Sequence, residues 1–249
     1  MEFRYFADVS YKGTAYHGWQ AQENAASVQA TIDHAIGCLL QQKIESLGSG
    51  RTDKGVHALQ QIMQFDCNCE IDCEDIANRL NAFFPEDIAI KSIKPVPIDA
   101  NARFHATSRS YIYKINRRKN PMWIGLAYYF HKPLDLDAMR EATDLLIGRH
   151  NFQSFSIVKT NVNNFFCDIT AAHWNEENEM LDFHISSNRF LRGMVRSIVG
   201  TLLLVGQKRI TLEEYKAIIE SKDRKKAGIS VPGAGLYLSQ VVYPEHIYK

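Results

Sequence analysis

One stretch of the chain concentrates residues that could do chemistry on a ligand: Gly48-Ser49-Gly50-Arg51-Thr52-Asp53-Lys54-Gly55-Val56-His57-Ala58. Glycine tolerates backbone angles that are closed to other residues, and it lets a ligand or a second backbone approach closely. The pattern therefore predicts a tight turn that presents the Asp53 carboxylate between Gly50 and Gly55. The plain alternative is an Asx turn, in which Asp53 only hydrogen-bonds to nearby backbone.

Two familiar nucleotide-binding motifs are close to this stretch and do not fit it. A dinucleotide fingerprint needs a third glycine where Asp53 stands, and a phosphate loop needs Lys-Ser/Thr where Val56-His57 stands. A carboxylate at the centre of the loop would also repel a phosphate bound directly there. These observations argue against a nucleotide cradle.

The same stretch resembles the signature of the tRNA pseudouridine synthase A family, Gly-x-Gly-Arg-Thr-Asp-x-Gly-Val-His-Ala. Two further segments are similar to that family in the same order: Tyr11-Lys12-Gly13-Thr14-x-Tyr16-x-Gly18-Trp19-Gln20 near the start and Gly235-Leu236-Tyr237-Leu238 near the end. The resemblance spans nearly the whole chain. It implies that Asp53 is the catalytic residue.

The resemblance also implies roles for three substrate-binding residues. Tyr111 would contact the target nucleotide, Arg196 would pair with the catalytic aspartate, and Arg51 would grip the displaced nucleotide or its backbone. From the residues alone, Tyr111 is also typical of a buried strand tyrosine. Arg196 is equally compatible with a salt bridge to some other acid.

The chain departs from the family pattern near Cys167. The family often has an arginine two residues after this cysteine, whereas Ile169 stands there, preceded by Asp168. This difference bears on substrate detail rather than on the type of reaction.

Composition limits the class of protein. With 249 residues, of which 45% are hydrophobic and 23% charged, the chain can form one large or two small domains with a substantial core. No apolar run reaches the roughly 18 residues of a membrane span, and the N-terminal residues do not form a signal peptide. The 5 cysteines are an odd, scattered set, which predicts a reducing, cytoplasmic location without a disulfide framework.

The spacing Cys67-x-Cys69-x3-Cys73 raises the possibility of a zinc site. It is not one of the usual ligand spacings, and no histidine lies near it in the sequence. Met63, Phe65, Cys67 and Cys69 alternate as one face of a strand. The pattern favours core positions for Cys67 and Cys69, and we expect no metal.

The formal net charge of +1 hides a segregation of charge. Two segments, 101–120 and 186–210, contain basic residues and no acid. We predict that Arg109, Arg189 and Arg192 of these segments bind phosphates of a nucleic acid. Ordinary solvated basic faces are the alternative.

Hydrophobic periodicity predicts alternating strands and helices. Before residue 117 we expect strand 3–11, a helix from Ser27 to Leu40, a strand through Met63 and Phe65, a helix from Asp72 to Phe84 that buries Phe83, and strand 88–93, which ends before Pro95. After a strand up to residue 116, we expect helix 135–148, strands 169–174 and 181–185, helix 190–205, a capped helix from Thr211 and strand 236–243. Arg189, Arg192 and Arg196 would share one face of helix 190–205.

This order predicts an α/β (α+β) fold with two similar halves, whose mainly antiparallel sheets join and carry helices on one face. The expected boundaries are 1–117 for the half with the Asp53 loop, 118–134 for a connecting stretch and 135–249 for the second half. The aromatic-rich stretch from Trp123 to Phe130 is a candidate subunit contact.

By resemblance, the expected activity is isomerisation of uridine to pseudouridine at positions 38, 39 and 40 of the tRNA anticodon arm. The family implies a homodimer and requires no cofactor. A glycoside or nucleoside hydrolase is one alternative, although it would normally need a second carboxylate near the scissile bond. A non-catalytic RNA-binding module is the other.

Overall fold

The computed structural model describes residues 2–157 and 164–248. The chain divides into two compact units. The first unit comprises Met1–Thr107 and Tyr237–Lys249, and the second comprises Ser108–Leu236. The sequence-based boundaries place residues 237–249 with the second half, and the observed division differs because the last strand pairs with a strand of the first unit.

The described residues form the expected strands and helices in the expected order, together with three short strands that the periodicity does not predict, and the helix predicted to run to 148 ends at Asp144. The strands are β1 (Phe3–Tyr11), β2 (Leu47–Gly48), β3 (His57–Cys67), β4 (Ile88–Val96), β5 (Ser108–Asn116), β6 (Tyr128–Tyr129), β7 (Gly148–Asn151), β8 (Phe166–Glu177), β9 (Met180–Ser187) and β10 (Leu236–Val242). The α-helices are α1 (Val28–Leu40), α2 (Cys73–Phe83), α3 (Leu136–Asp144), α4 (Met194–Gly206) and α5 (Leu212–Ser221).

The sheet of the first unit has the strand order β4-β1-β3-β10, and β2 pairs with β3. β1 is antiparallel to both β3 and β4, whereas β10 runs parallel to β3 with Tyr237 opposite His57. β4 is the edge strand and continues through Pro95 to Val96. Pro95 does not end it as expected, because an edge strand tolerates a residue that cannot donate a ladder hydrogen bond.

Both helices of the first unit begin at side-chain caps. The Ser27 Oγ accepts a hydrogen bond from the Ala30 N–H, and the Asp72 Oδ1 accepts from the N–H groups of Glu74 and Asp75. Each bond satisfies a helix-end donor that has no partner within the helix. The prediction that Phe83 is buried is wrong, since its side chain is 59% exposed in the last turn of α2.

In the second unit the order is β5-β9-β8-β7, with every pair antiparallel, and the short β6 lies parallel to β5. Along β9, Leu181, Phe183 and Ile185 are buried and alternate with partly exposed residues. Trp174 of β8 is also buried, and its Nε1–H donates to the Thr143 hydroxyl of α3. The α/β class with mainly antiparallel sheets, as predicted, is therefore confirmed within each unit.

The most apolar helix, α4, begins at Met194 rather than at Phe190. Gly193 precedes it with a φ of 71°, a left-handed conformation that glycine adopts without strain. Arg189 and Arg192 consequently lie before the helix. The prediction that they share a helix face with Arg196 is wrong, because the left-handed residue stops the helix from extending toward its N-terminus.

Two further expectations concern cysteines and membranes. Cys67 is buried at the end of β3, but Cys69 is exposed because the strand has already ended there, so a core position for Cys69 is wrong. Within residues 2–157 and 164–248, no cluster of three or more His, Cys, Asp or Glu side chains could hold a metal ion. No helix among the same residues is long and apolar enough to span a bilayer.

Gly200 of α4 packs closely against the main chain of Ile229. A Cβ at Gly200 would lie 1.9 Å from the carbonyl oxygen of Ile229, whereas a Cβ at Gly206 would meet the flexible side chain of Met139. We expect Gly200→Ala to lower the free energy of unfolding by about 2 kcal/mol or more, because backbone must move. Gly206→Ala should cost clearly less. Equal losses in urea unfolding would contradict the close approach.

Candidate active site

The Asp53 loop forms the turn that its glycines predict. The Val56 N–H donates to the Asp53 carbonyl at 3.1 Å and closes a turn over Lys54 and Gly55. Gly55 has a φ of 75°, which explains the glycine at this position. Asp53 is half-buried, between the buried Thr52 and the exposed Lys54.

Tyr11 and the segment that follows it hold this loop from one side. The Tyr11 hydroxyl and the Thr52 hydroxyl share a buried hydrogen bond of 2.8 Å. The Trp19 N–H donates to the Thr52 carbonyl at 3.2 Å, and the Gly55 N–H donates to the Tyr16 carbonyl at 3.4 Å. The Tyr11–Gln20 segment therefore supports the Asp53 loop.

Two glycines of the first motif permit this contact. A Cβ on Gly13 would lie 1.9 Å from the Val56 carbonyl oxygen, and one on Gly18 would lie 2.5 Å from the Thr52 carbonyl oxygen. Gly18 also has a φ of 107°. Gly50 is different, because an added Cβ would meet nothing within 4 Å. Its surroundings therefore do not require glycine.

His57 joins the Asp53 loop to both other motifs. Its side chain is 1% exposed, and its Nδ1 accepts a hydrogen bond from the Gly13 N–H at 3.1 Å. A nitrogen that accepts carries no proton, so the imidazole is neutral with its proton on Nε2. The ring stacks on Tyr237, with centroids 4.6 Å apart. His57 is not among the site residues predicted from the sequence. Only its place within the Gly48–Ala58 motif could have pointed to it.

Gln61 fixes the start of the loop. Its fully buried side chain accepts from the Ser49 hydroxyl at 2.5 Å and donates to the Gly50 carbonyl at 2.8 Å. The Ser49 N–H donates to the Ile62 carbonyl at 2.7 Å. Arg51, next along the chain, is exposed. The side chain of Arg51 therefore projects from an anchored backbone.

In the second unit, Tyr111 and Tyr113 have different environments. Tyr113 is fully buried, its hydroxyl donates to the Pro232 carbonyl at 2.9 Å, and burial raises its pKa, an effect that the nearby Arg196 charge opposes. Tyr111 is only half-buried and meets Phe190 edge-on, with ring centroids 5.1 Å apart. The interpretation of a buried strand tyrosine fits Tyr113, whereas Tyr111 keeps accessible surface.

Arg196 lies in the first turn of α4 and is held by the Val231 main chain. Its Nε donates to the Val231 carbonyl at 2.7 Å, and its own carbonyl accepts from the Val231 N–H at 3.2 Å. The side chain is half-buried. These bonds fix the direction in which the guanidinium leaves the helix.

Arg109 and Arg189 come together where β5 begins and β9 ends. Arg109 is opposite Ser187, and its Nη1 donates to the Asn188 carbonyl at 3.0 Å. The Arg189 N–H donates to the Ser187 hydroxyl at 3.4 Å. Arg192 is exposed nearby in sequence, and its carbonyl accepts from the Ile157 N–H at 3.0 Å.

The departure from the family pattern lies in the core of the second unit. Ile169 and Cys167 are each 1% exposed. Burial raises the pKa of the Cys167 thiol to about 11, although the Arg189 charge opposes the shift. The thiol is therefore protonated and unreactive near neutral pH. An apolar side chain fits position 169 better than a charged one would.

The sequence matches a known family over most of its length. The family model described as tRNA pseudouridine synthase matches residues 7–105 and 142–244. Several curated relatives are named tRNA pseudouridine synthase A. The protein of Parabacteroides distasonis is 44% identical over 246 residues, which are 98% of each chain. That of Porphyromonas gingivalis is 42% identical over 249 residues, which are 98% of this chain and 99% of its own.

A third relative gives a similar result. The tRNA pseudouridine synthase A of Caldicellulosiruptor bescii is 40% identical over 237 residues, which are 94% of this chain and 97% of its own. The matched residues include the Asp53 loop and the Tyr11–Gln20 segment that supports it. On this evidence the chain belongs to the tRNA pseudouridine synthase family.

Proposed function

We propose that this protein is an isomerase that converts uridine to pseudouridine in tRNA. The observation that carries the proposal is the Asp53 loop, whose family motif is held by a second motif through buried hydrogen bonds. Family membership supports the same activity. The five cysteines are free, as in a reducing compartment, and we place the activity in the cytoplasm.

Asp53 would act directly on the target nucleotide. Isomerisation breaks the glycosidic bond, turns the uracil within the site and joins its C5 to C1′ of the ribose. A carboxylate can attack the sugar carbon or the base, or stabilise positive charge that develops on the sugar. The anchored, half-buried loop lets Asp53 meet a nucleotide in this role.

Substrate binding would fall to several cations and one aromatic ring. Tyr111 offers a ring on which an unpaired base can stack and a hydroxyl for hydrogen bonding. By resemblance, Arg196 would keep the catalytic carboxylate ionised and Arg51 would grip the displaced nucleotide or its backbone. The reaction needs no redox or metal cofactor. The target must leave its stack, which costs a few kcal/mol of binding energy.

We further propose the anticodon arm of tRNA as the target, at positions 38, 39 and 40. The support for these positions is the resemblance of the motifs, and the names of the relatives support tRNA as the substrate. A hydrolase fits less well, because residues 48–58 contain no acid besides Asp53 to serve as a second carboxylate.

Asp53→Asn tests the reaction. The amide keeps the shape of the side chain but lacks its charge and nucleophilicity, so tRNA binding should persist while turnover falls by roughly four orders of magnitude. The assay is tritium release from tRNA carrying 5-tritiated uridine, with mapping of pseudouridine at positions 38 to 40. Isomerisation frees tritium, whereas hydrolysis or simple binding leaves it on the base.

Asp75→Asn is the matched control, because Asp75 is an exposed carboxylate on α2 in the same unit. It should keep full activity. If Asp53 only shaped a turn, asparagine would replace it well, since both side chains cap turns alike. Activity of Asp53→Asn within about tenfold of the parent would therefore refute the catalytic role.

Arg109→Ala, Arg189→Ala and Arg192→Ala test phosphate binding. Each loss of a phosphate contact should weaken tRNA binding and reduce the slope of log affinity against log salt by about one counterion. Fluorescence titrations at several salt concentrations measure this slope. Arg140→Ala is the control, because Arg140 pairs with Asp137 at 2.8 Å on the surface of α3. Slopes equal to the parent's would show that the three arginines are structural.

We also propose a homodimer that uses the 123–130 stretch. Ile124 in this stretch and Met122 just before it are 78% and 79% exposed, and aromatic and methionine side chains are enriched in interface cores. Light scattering at micromolar concentration should give twice the 28.4 kDa chain mass, and Ile124→Glu should shift it toward the monomer. Ile229→Glu, also at an exposed isoleucine, should not. A monomeric parent protein would contradict the proposal.

A further inference from the structure

Phe104 is the most exposed phenylalanine among the described residues, with 74% of its side chain accessible. Burying a phenylalanine side chain stabilises a fold, and this fold forgoes most of that gain at Phe104. The Arg103 guanidinium lies 5.4 Å from the ring centroid in a cation–π contact. An aromatic ring next to a cation is thus displayed to solvent.

The backbone on both sides of the ring is firmly anchored within the first unit. Ala102 is fully buried, its N–H donates to the Gln64 Oε1 at 2.8 Å, and its carbonyl accepts from the Tyr243 hydroxyl. The Thr107 N–H donates to the Val242 carbonyl at 2.8 Å. The two ends of the loop, Ala102 and Thr107, are therefore fixed to β3 and to the C-terminal part of the chain.

The tip of the loop is also held by hydrogen bonds within the loop itself. The Asn101 Oδ1 accepts from the N–H groups of Arg103 and Phe104, each at 2.9 Å. The Asn101 N–H donates to the His105 Nδ1 at 3.2 Å, and the His105 N–H donates to the Asn101 carbonyl at 3.1 Å. The exposure of Phe104 is therefore set by the backbone, because the loop cannot turn the ring inward without breaking these bonds.

We infer that the tip formed by Arg103, Phe104 and His105 is a stacking platform for an unpaired base of the RNA. A rigid aromatic ring can stack on the face of any base, whatever the RNA sequence. A neighbouring guanidinium adds cation–π and phosphate contacts. Residues 101–120 contain no acid, so the surroundings in sequence favour a polyanion. This inference rests on the proposed action on tRNA.

The platform would bind a nucleotide other than the target uridine. Its anchor Gln64 lies on β3, the strand that starts at His57 beside the Asp53 loop. At ~3.3 Å per residue, Gln64 and His57 are about 23 Å apart along the strand. A base stacked on Phe104 therefore helps to place the RNA without taking part in the chemistry.

The test compares tRNA affinity among substitutions at Phe104. Phe104→Ala should weaken binding of a tRNA transcript by about tenfold or more, the usual effect of removing one stacked base contact. Phe104→Tyr should restore affinity, whereas Phe104→Leu, which is apolar but not aromatic, should not. Turnover at saturating tRNA should stay near the parent value, because the residue acts on binding and not on the reaction.

Phe83→Ala is the matched control, because Phe83 is an exposed phenylalanine of the same unit and lies on α2. Unchanged affinity of Phe104→Ala, or equal affinities of the leucine and phenylalanine proteins, would overturn the platform. Conversion of a dimer to a monomer by Phe104→Ala would overturn it too, since the ring would then contact a second copy. Tritium release by the parent protein decides the proposed function separately.

Discussion

The close approach of two backbones is the constraint on which the candidate site depends. The segment with Gly13 and Gly18 lies so near the Asp53 loop that a single added carbon at either glycine would collide with a carbonyl oxygen. Backbone contacts of this kind leave little freedom, because peptide groups cannot move aside as flexible side chains can. The position of Asp53 therefore follows from strand β1 and the turn after it.

Buried polar groups then select one conformation of the loop. Tyr11, Thr52, His57 and Gln61 are almost fully buried, and each has a hydrogen-bond partner in or beside the loop. Leaving such a group unpaired would cost about 1–3 kcal/mol, so an alternative loop arrangement would lose several bonds together. The loop is preorganised by this network rather than by apolar packing alone, as the proposed role of Asp53 would require.

In the second unit, main-chain carbonyls orient two of the arginine side chains. Arg196 and Arg109 are each directed by a main-chain carbonyl, of Val231 and Asn188 respectively. A main-chain carbonyl accepts from a guanidinium and so sets its direction, without itself carrying a full negative charge. Phe104 in the first unit is displayed by the same principle, because backbone hydrogen bonds and not side-chain packing determine where its ring points.

The sequence by itself determined most of the elements and the family to which the chain belongs. Strand β1, the caps at Ser27 and Asp72 and the capping box at Thr211 follow from local patterns, and the Asp53 motif names its own family. These features depend on neighbours within a few positions, which a pattern can register.

Only the tertiary structure decided which distant residues meet. It brought Gly13 to His57, returned β10 to β3 and left Phe83 and Cys69 exposed. It also started α4 only after Gly193, which left Arg189 and Arg192 outside the helix. Such outcomes come from contacts between parts of the chain far apart in sequence and from single backbone angles, and neither leaves a periodic signal in the residues.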